Sequence, residues 1–150
     1  MKVTPEALRS VAREVLETTA FAIVMPEEEG GPVAGPMLSA TVRFDGPSMG
    51  AFALAIPESV MPALANNMLG RDEGEPCTGQ EIADALGELA NIMCGNALFH
   101  VAGPAAVFDL APPEVASSAE GVRTPPEGTS VIVPLANGFA EVSCVLEDGL

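Results

Sequence analysis

The stretch DALGELANIMCGN, residues 84–96, decides how the rest of the chain is read. Leu86, Leu89 and Met93, with Ile82 before them and Ala97 after, recur at the spacing of an α-helix. On a wheel of about 100° per residue they share one side. Asp84, Glu88, Asn91 and Gly95 share the other, within roughly 60° of one another. The apolar side is expected to pack on a sheet, and the polar stripe to look outward. Thr78 and Glu81 form a T-x-x-E capping box ahead of the helix. Gly103 and Pro104 end it, so it is predicted to run to about His100. An outer face chosen for helix stability would favour Lys, Arg, Glu and Gln. Asn91 is a weaker helix former in mid-helix, and Gly95 costs about 1 kcal/mol relative to Ala. Gly87 and Gly95 also thin the helix beside the polar groups, where another protein's backbone could approach. On these residues alone, a binding face stands slightly ahead of a merely solvated one.

Working towards the N-terminus, ESVMPALANNMLG (58–70) reads as a shorter helix. Ser59 is its expected cap, Pro62 fits its first turn, and Gly70 is its stop. Before it, Leu38, Ala40, Val42 and Phe44 alternate with Ser39, Thr41 and Arg43, the period of a half-buried strand. DGPS (45–48) is a turn, and Phe52, Leu54 and Ile56 alternate with alanines in a second strand. The pair is predicted to be an antiparallel hairpin. TPEALRSVAREVLETTAF (4–21) opens the chain as a helix. Thr4 caps it, Pro5 sits in its first turn, and Leu8, Val11, Val15 and Leu16 form its apolar stripe.

Towards the C-terminus, AAVFDLAP (105–112) can form a strand. The Pro/Gly/Ser-rich stretch 112–128 reads as a loop with a short strand near Val115. Asn137-Gly138 marks a final hairpin, and Pro134 suggests an edge or a bulge in its first strand. Hairpins with grouped helices give an α+β fold with a mostly antiparallel sheet. The length of 150 residues fits a single domain, 1–150.

The composition narrows function. The formal charge is −15, from 21 acidic and 6 basic residues. Such a chain is repelled by nucleic acid and by anionic membranes. The runs PEEEGG (26–31) and RDEGEP (71–76) read as solvated loops. Glu27, Glu28 and Glu29 could hold a cation, but a glycine-flanked run is ordinarily just solvated. Cys77, Cys94 and Cys144 match no metal or disulfide framework, so reduced thiols are expected, with Cys94 packed inside. The start lacks a signal-peptide core and no apolar run reaches about 18 residues. A cytoplasmic protein without membrane insertion is expected. His100, the sole histidine, reads as a partner of the helix C-terminal dipole. Asn66 and Asn67 have no glutamate three residues before them and do not form a second site.

The pattern Asp84-x-x-x-Glu88-x-x-Asn91 resembles the D/S-x-x-x-E-x-x-N signature of the CheC/CheX/FliY chemotaxis phosphatases. ELANIMCGN (88–96) is especially similar to the motif region of CheX. The order of leading helix, strand pair, short helix ending NMLG and motif helix also looks like CheX, as does a single motif copy. Pro112 and Pro113 lie in the neighbourhood where the family carries a proline after its asparagine.

This resemblance implies a CheC/CheX-like fold and a hydrolase that removes phosphate from an aspartyl phosphate on a CheY-like response regulator. An acyl phosphate is already activated, so its hydrolysis needs mainly an in-line water and charge neutralisation. The chain would need no metal and no cofactor of its own, with Mg²⁺ held by the partner receiver domain. Asn91 would enter the partner's site and hold the attacking water through its amide. Glu88 would pair with the receiver's active-site lysine. Asp84 would add to the acidic rim, and Gly95 would give the partner room. A homodimer formed through sheet edges is a further implication. The alternative is a non-catalytic adaptor that docks a receiver or a flagellar switch component through the same stripe.

Overall fold

The computed structural model describes residues 2–26, 35–72, 74–118 and 128–147. The acidic run 27–29 and the middle of the 112–128 stretch lie outside them, as does Glu73. Alternation builds the sheet. In β1 (Met37–Asp45), Ala40, Val42 and Phe44 are buried while Arg43 is exposed. β2 (Met49–Pro57) pairs with it antiparallel, Leu38 opposite Ile56 and Val42 opposite Phe52. Each opposed pair shares a face, so both strands present their larger apolar side chains together. This is the expected hairpin.

β3 (Asp109–Leu110) and β4 (Glu114–Ser118) both pair with the outer side of β1. In the second ladder Ala40 faces Val115 and Thr41 faces Glu114. β5 (Thr129–Leu135) and β6 (Gly138–Glu147) form the closing hairpin, and β6 pairs with β2. The sheet runs β3-β1-β2-β6-β5, with β4 beside β1, and every pairing is antiparallel.

β5 is an edge strand, which accommodates Pro134. The end of that edge is covered by the chain itself. Met25 N–H donates to Pro134 O at 2.9 Å, and Ala136 N–H to Ile23 O at 3.0 Å.

Two helices pack on one face of this sheet, and a third packs on one of these two. α1 (Pro5–Thr18) is capped by Thr4, whose Oγ1 accepts from Ala7 N–H at 3.1 Å. It buries Leu8, Val11, Ala12, Val15 and Leu16 over β5 and β6. α3 (Gly79–Ala102) lies over β1 and β2 and packs on α1 and on α2 (Met61–Leu69). Leu86, Leu89 and Met93 of α3 meet Phe52, Leu54 and Ile56 of β2 in one aliphatic core. On the opposite face of the sheet Met37, Ala55 and Phe139 make a small separate cluster.

Four expectations are corrected. Val60, not Ser59, precedes the first turn of α2, with no side-chain cap, though Pro62 does lie in that turn. α1 stops at Thr18 instead of near Phe21. The segment 105–112 contributes only the two residues of β3, because most of it runs past the end of β1 with nothing to pair, leaving Val107 exposed. The last hairpin turns on Ala136-Asn137, and Gly138 already faces Leu135 in the ladder. Gly70 does end α2, at φ 70°, the left-handed conformation that glycine adopts freely.

Candidate functional site

The motif helix is anchored at its start. Thr78 Oγ1 accepts from Glu81 N–H at 3.1 Å, and Glu81 Oε1 accepts from Thr78 N–H at 3.0 Å. This is the expected capping box. Both guanidinium Nη atoms of Arg71 also donate to the Glu81 carboxylate. The bond to Arg71, joined by that from Thr78, holds the Glu81 carboxyl down at about 2. The two helices α2 and α3 are thereby tied across the intervening loop.

From this fixed start α3 displays its polar stripe. Asp84 and Glu88 are exposed, and Gln80 Nε2 donates to Asp84 Oδ1 at 2.7 Å. Gly95 is exposed, with no atom within 4 Å of where a Cβ would stand. Asn91 is half-buried rather than fully protruding. Its Oδ1 is shielded and has no hydrogen-bond partner. A shielded, unpaired amide oxygen costs about 1–3 kcal/mol, so the fold gains nothing from it there.

Asp84, Glu88 and Asn91 line one surface cavity of about 600 Å³. Gln80, Ala83 and Gly87 complete its α3 side, and Pro113 and Val115 form the opposite wall. That wall was not legible in the sequence as part of a site. It comes from the start of β4, which reaches α3 only because β4 pairs with β1. The one signal was the proline pair itself. Gly87 also takes a different role from the one expected. It is buried, and a Cβ there would stand 3.3 Å from Pro113 Cβ. Its bare side is therefore filled by this chain's own proline, not left for a partner. Gly95 is the glycine that remains open.

The other candidates have structural work. Asn66 is buried, donates from Nδ2 to Glu75 O at 2.9 Å, and accepts from the Cys77 thiol. Asn67 donates to Ala20 O at 2.9 Å, tying α2 to the end of α1. Cys94 and Cys144 are buried, and desolvation pushes both thiols up to about 12. His100 is exposed in the last turn of α3. Among the described residues, no group of three or more His, Cys, Asp or Glu side chains could hold a metal ion. No helix among them is long and apolar enough to cross a membrane.

Comparison with known proteins places this geometry. The family model described as chemotaxis phosphatase CheX matches residues 38–136, from β1 through α3 to the final turn. Among solved structures, the chain is similar to one in a CheX-CheY-BeF3-Mg²⁺ complex from Borrelia burgdorferi. That match has 19% identity, covers 97% of this chain and 99% of the other, and has a TM-score of 0.71. It is also similar to the chemotaxis protein CheX of Vibrio vulnificus, with 26% identity over 95% of each chain and a TM-score of 0.70. A CheX from Desulfovibrio desulfuricans matches with 22% identity over 95% of this chain and 97% of the other, at a TM-score of 0.70. No curated protein sequence matches. With its family model spanning most of the chain and including every residue of the motif stripe, this protein belongs to the CheX chemotaxis phosphatase family.

Proposed function

We propose that the protein dephosphorylates the aspartyl phosphate of a CheY-like receiver domain, acting in the cytoplasm where such receivers work. One observation supports this most. Glu88 and Asn91 stand one turn apart on the same cavity, and the Asn91 amide oxygen has no partner inside the protein. The Borrelia burgdorferi relative was solved with CheY, BeF3 and Mg²⁺, which fits a receiver that carries its own Mg²⁺.

In this reading the receiver docks on α3 and its active-site lysine pairs with the Glu88 carboxylate. Asn91 turns its amide into the receiver's site and holds a water in line with the phosphorus–oxygen bond. An amide both donates and accepts, so it fixes the water's position and orientation. It does not titrate in this range, so it is no general base. Water adds to phosphorus, the acyl oxygen leaves as the aspartate carboxylate, and inorganic phosphate is released. The receiver's Mg²⁺ neutralises charge on the phosphoryl oxygens. Asp84, held by Gln80, adds negative potential at the rim that steers a basic site towards the helix.

The test pairs a phosphate-release assay with a binding assay on the same receiver. Asn91→Ala is expected to slow stimulated dephosphorylation about 10²-fold or more while binding is largely kept. Glu88→Ala is expected to weaken binding and rate together, by about tenfold in affinity. A wild-type protein that binds receivers yet leaves their phosphoryl half-lives unchanged would be an adaptor, not a phosphatase. We further propose a homodimer formed through the free part of the β5 edge.

A further inference from the structure

The polar stripe of α3 does not end at Gly95. Phe99 lies one turn further on, about 20° from Glu88 around the helix. It is 57% exposed. Beside it is an apolar groove of about 200 Å³, lined by Gly95, Leu98, Phe99, Phe108 and Leu110 among others. Val107, in the segment leading into β3, is 77% exposed. One helix face thus carries an acidic half and an apolar half, with the open Gly95 between them.

Size says that the acidic half is not a sufficient docking surface. From Gln80 to Asn91 it is about 17 Å long and about 10 Å wide, on the order of 200 Å². A specific interface covers about 800 Å² per partner. A body seated on Glu88 and Asn91 lies over Gly95, where no side chain stands in its way. Its next contact along α3 is Phe99. Charge points the same way. The acidic half selects a basic feature, whereas the apolar half offers it nothing and suits an uncharged patch.

We propose that Phe99 and its groove form the second half of the receiver-docking surface and set which receiver is accepted. This rests on the reading of Glu88 and Asn91 given above. The occupant is the phosphorylated receiver itself. Its accepted form carries an exposed apolar patch about 17 Å from the lysine that meets Glu88, the rise from Glu88 to Phe99 at 1.5 Å per residue. Receivers with the same phosphorylation site but a charged patch there bind poorly.

The test measures binding of CheY-type receivers from the same genome, loaded with Mg²⁺ and BeF3⁻, to the full chain. Phe99→Ala is expected to raise Kd about tenfold. Phe99→Leu, which keeps the apolar surface, should stay within about threefold. Gly95→Leu places a side chain in the docking path on a site open in the free protein, and should raise Kd at least about tenfold. Thermal unfolding of each variant provides the folding control. If Phe99→Ala and Gly95→Leu both bind within about twofold of wild type, the proposal is overturned even where Asn91→Ala abolishes phosphate release. If wild type binds without speeding phosphate loss, the phosphatase reading fails and Phe99 is still judged on Kd. If wild type binds no receiver, both fail.

Discussion

Two glycines show how differently a missing side chain can be used. Gly50 is locked in the sheet. A Cβ there would stand 1.9 Å from the Val145 carbonyl oxygen and 2.8 Å from Phe44 Cζ. Backbone cannot yield as a side chain can, so Gly50→Ala is expected to destabilise the fold by about 3 kcal/mol. Gly95 meets nothing, and alanine is the better helix former. Gly95→Ala is therefore expected to stabilise by about 1 kcal/mol. Urea unfolding of the two variants checks both signs. Neither environment could be read from the sequence. The constraint on Gly50 arises from β6, far along the chain. Gly87 is likewise filled by a distant residue, Pro113, brought in by the β1–β4 ladder. Glu88, Asp84 and Asn91, in contrast, were legible as a set because the helix that groups them is local.

Among the elements, α3 is specified best by its own sequence. Its capping box, its apolar side and its stop at Gly103 all follow from nearby residues, and the structure has each of them. Thr78→Ala is expected to cost about 1 kcal/mol through loss of the cap. The Glu81 carboxyl is held near 2, below its ordinary value of 4.5. Its contribution to stability is therefore complete above about 4.5 and is lost as the pH falls towards about 2. Glu81→Gln should remove that portion of the acid dependence, measured by thermal unfolding across this range. The strands were less legible. The β1–β2 hairpin reads directly from its alternation. β3 is short because 105–112, though strand-like in residues, meets β1 only at Asp109 and Leu110. The final turn lies one residue earlier than expected because the β5–β6 ladder closes on Leu135 and Gly138, leaving Ala136-Asn137 as the turn.

At the scale of the molecule, the β5 edge of the sheet is only partly covered among the described residues. The segment 23–25 covers the end of β5, and among the described residues no strand pairs with the outer side of Thr129–Val133. Ile132 on this stretch is exposed. If two copies pair there, sedimentation equilibrium will give twice the chain mass. Ile132→Lys, a charge that blunts edge pairing, should shift the mass towards one copy. The mass of one chain for wild type at high concentration excludes this dimer. The α+β class was legible from the grouping of helices and hairpins, but the strand order was not. Nothing local says that β6 inserts between β2 and β5, or that β4 returns to β1.

That return has a consequence for the cavity. Val115 faces α3 because it stands opposite Ala40, and alternation turns Glu114 to the reverse face. Sliding β4 by a single residue along β1 would exchange the two. The valine would leave the wall, and a third carboxylate would enter beside Asp84 and Glu88. Mutual repulsion there would resist the slide, so the acidity that draws in a basic visitor also helps keep its own frame in alignment.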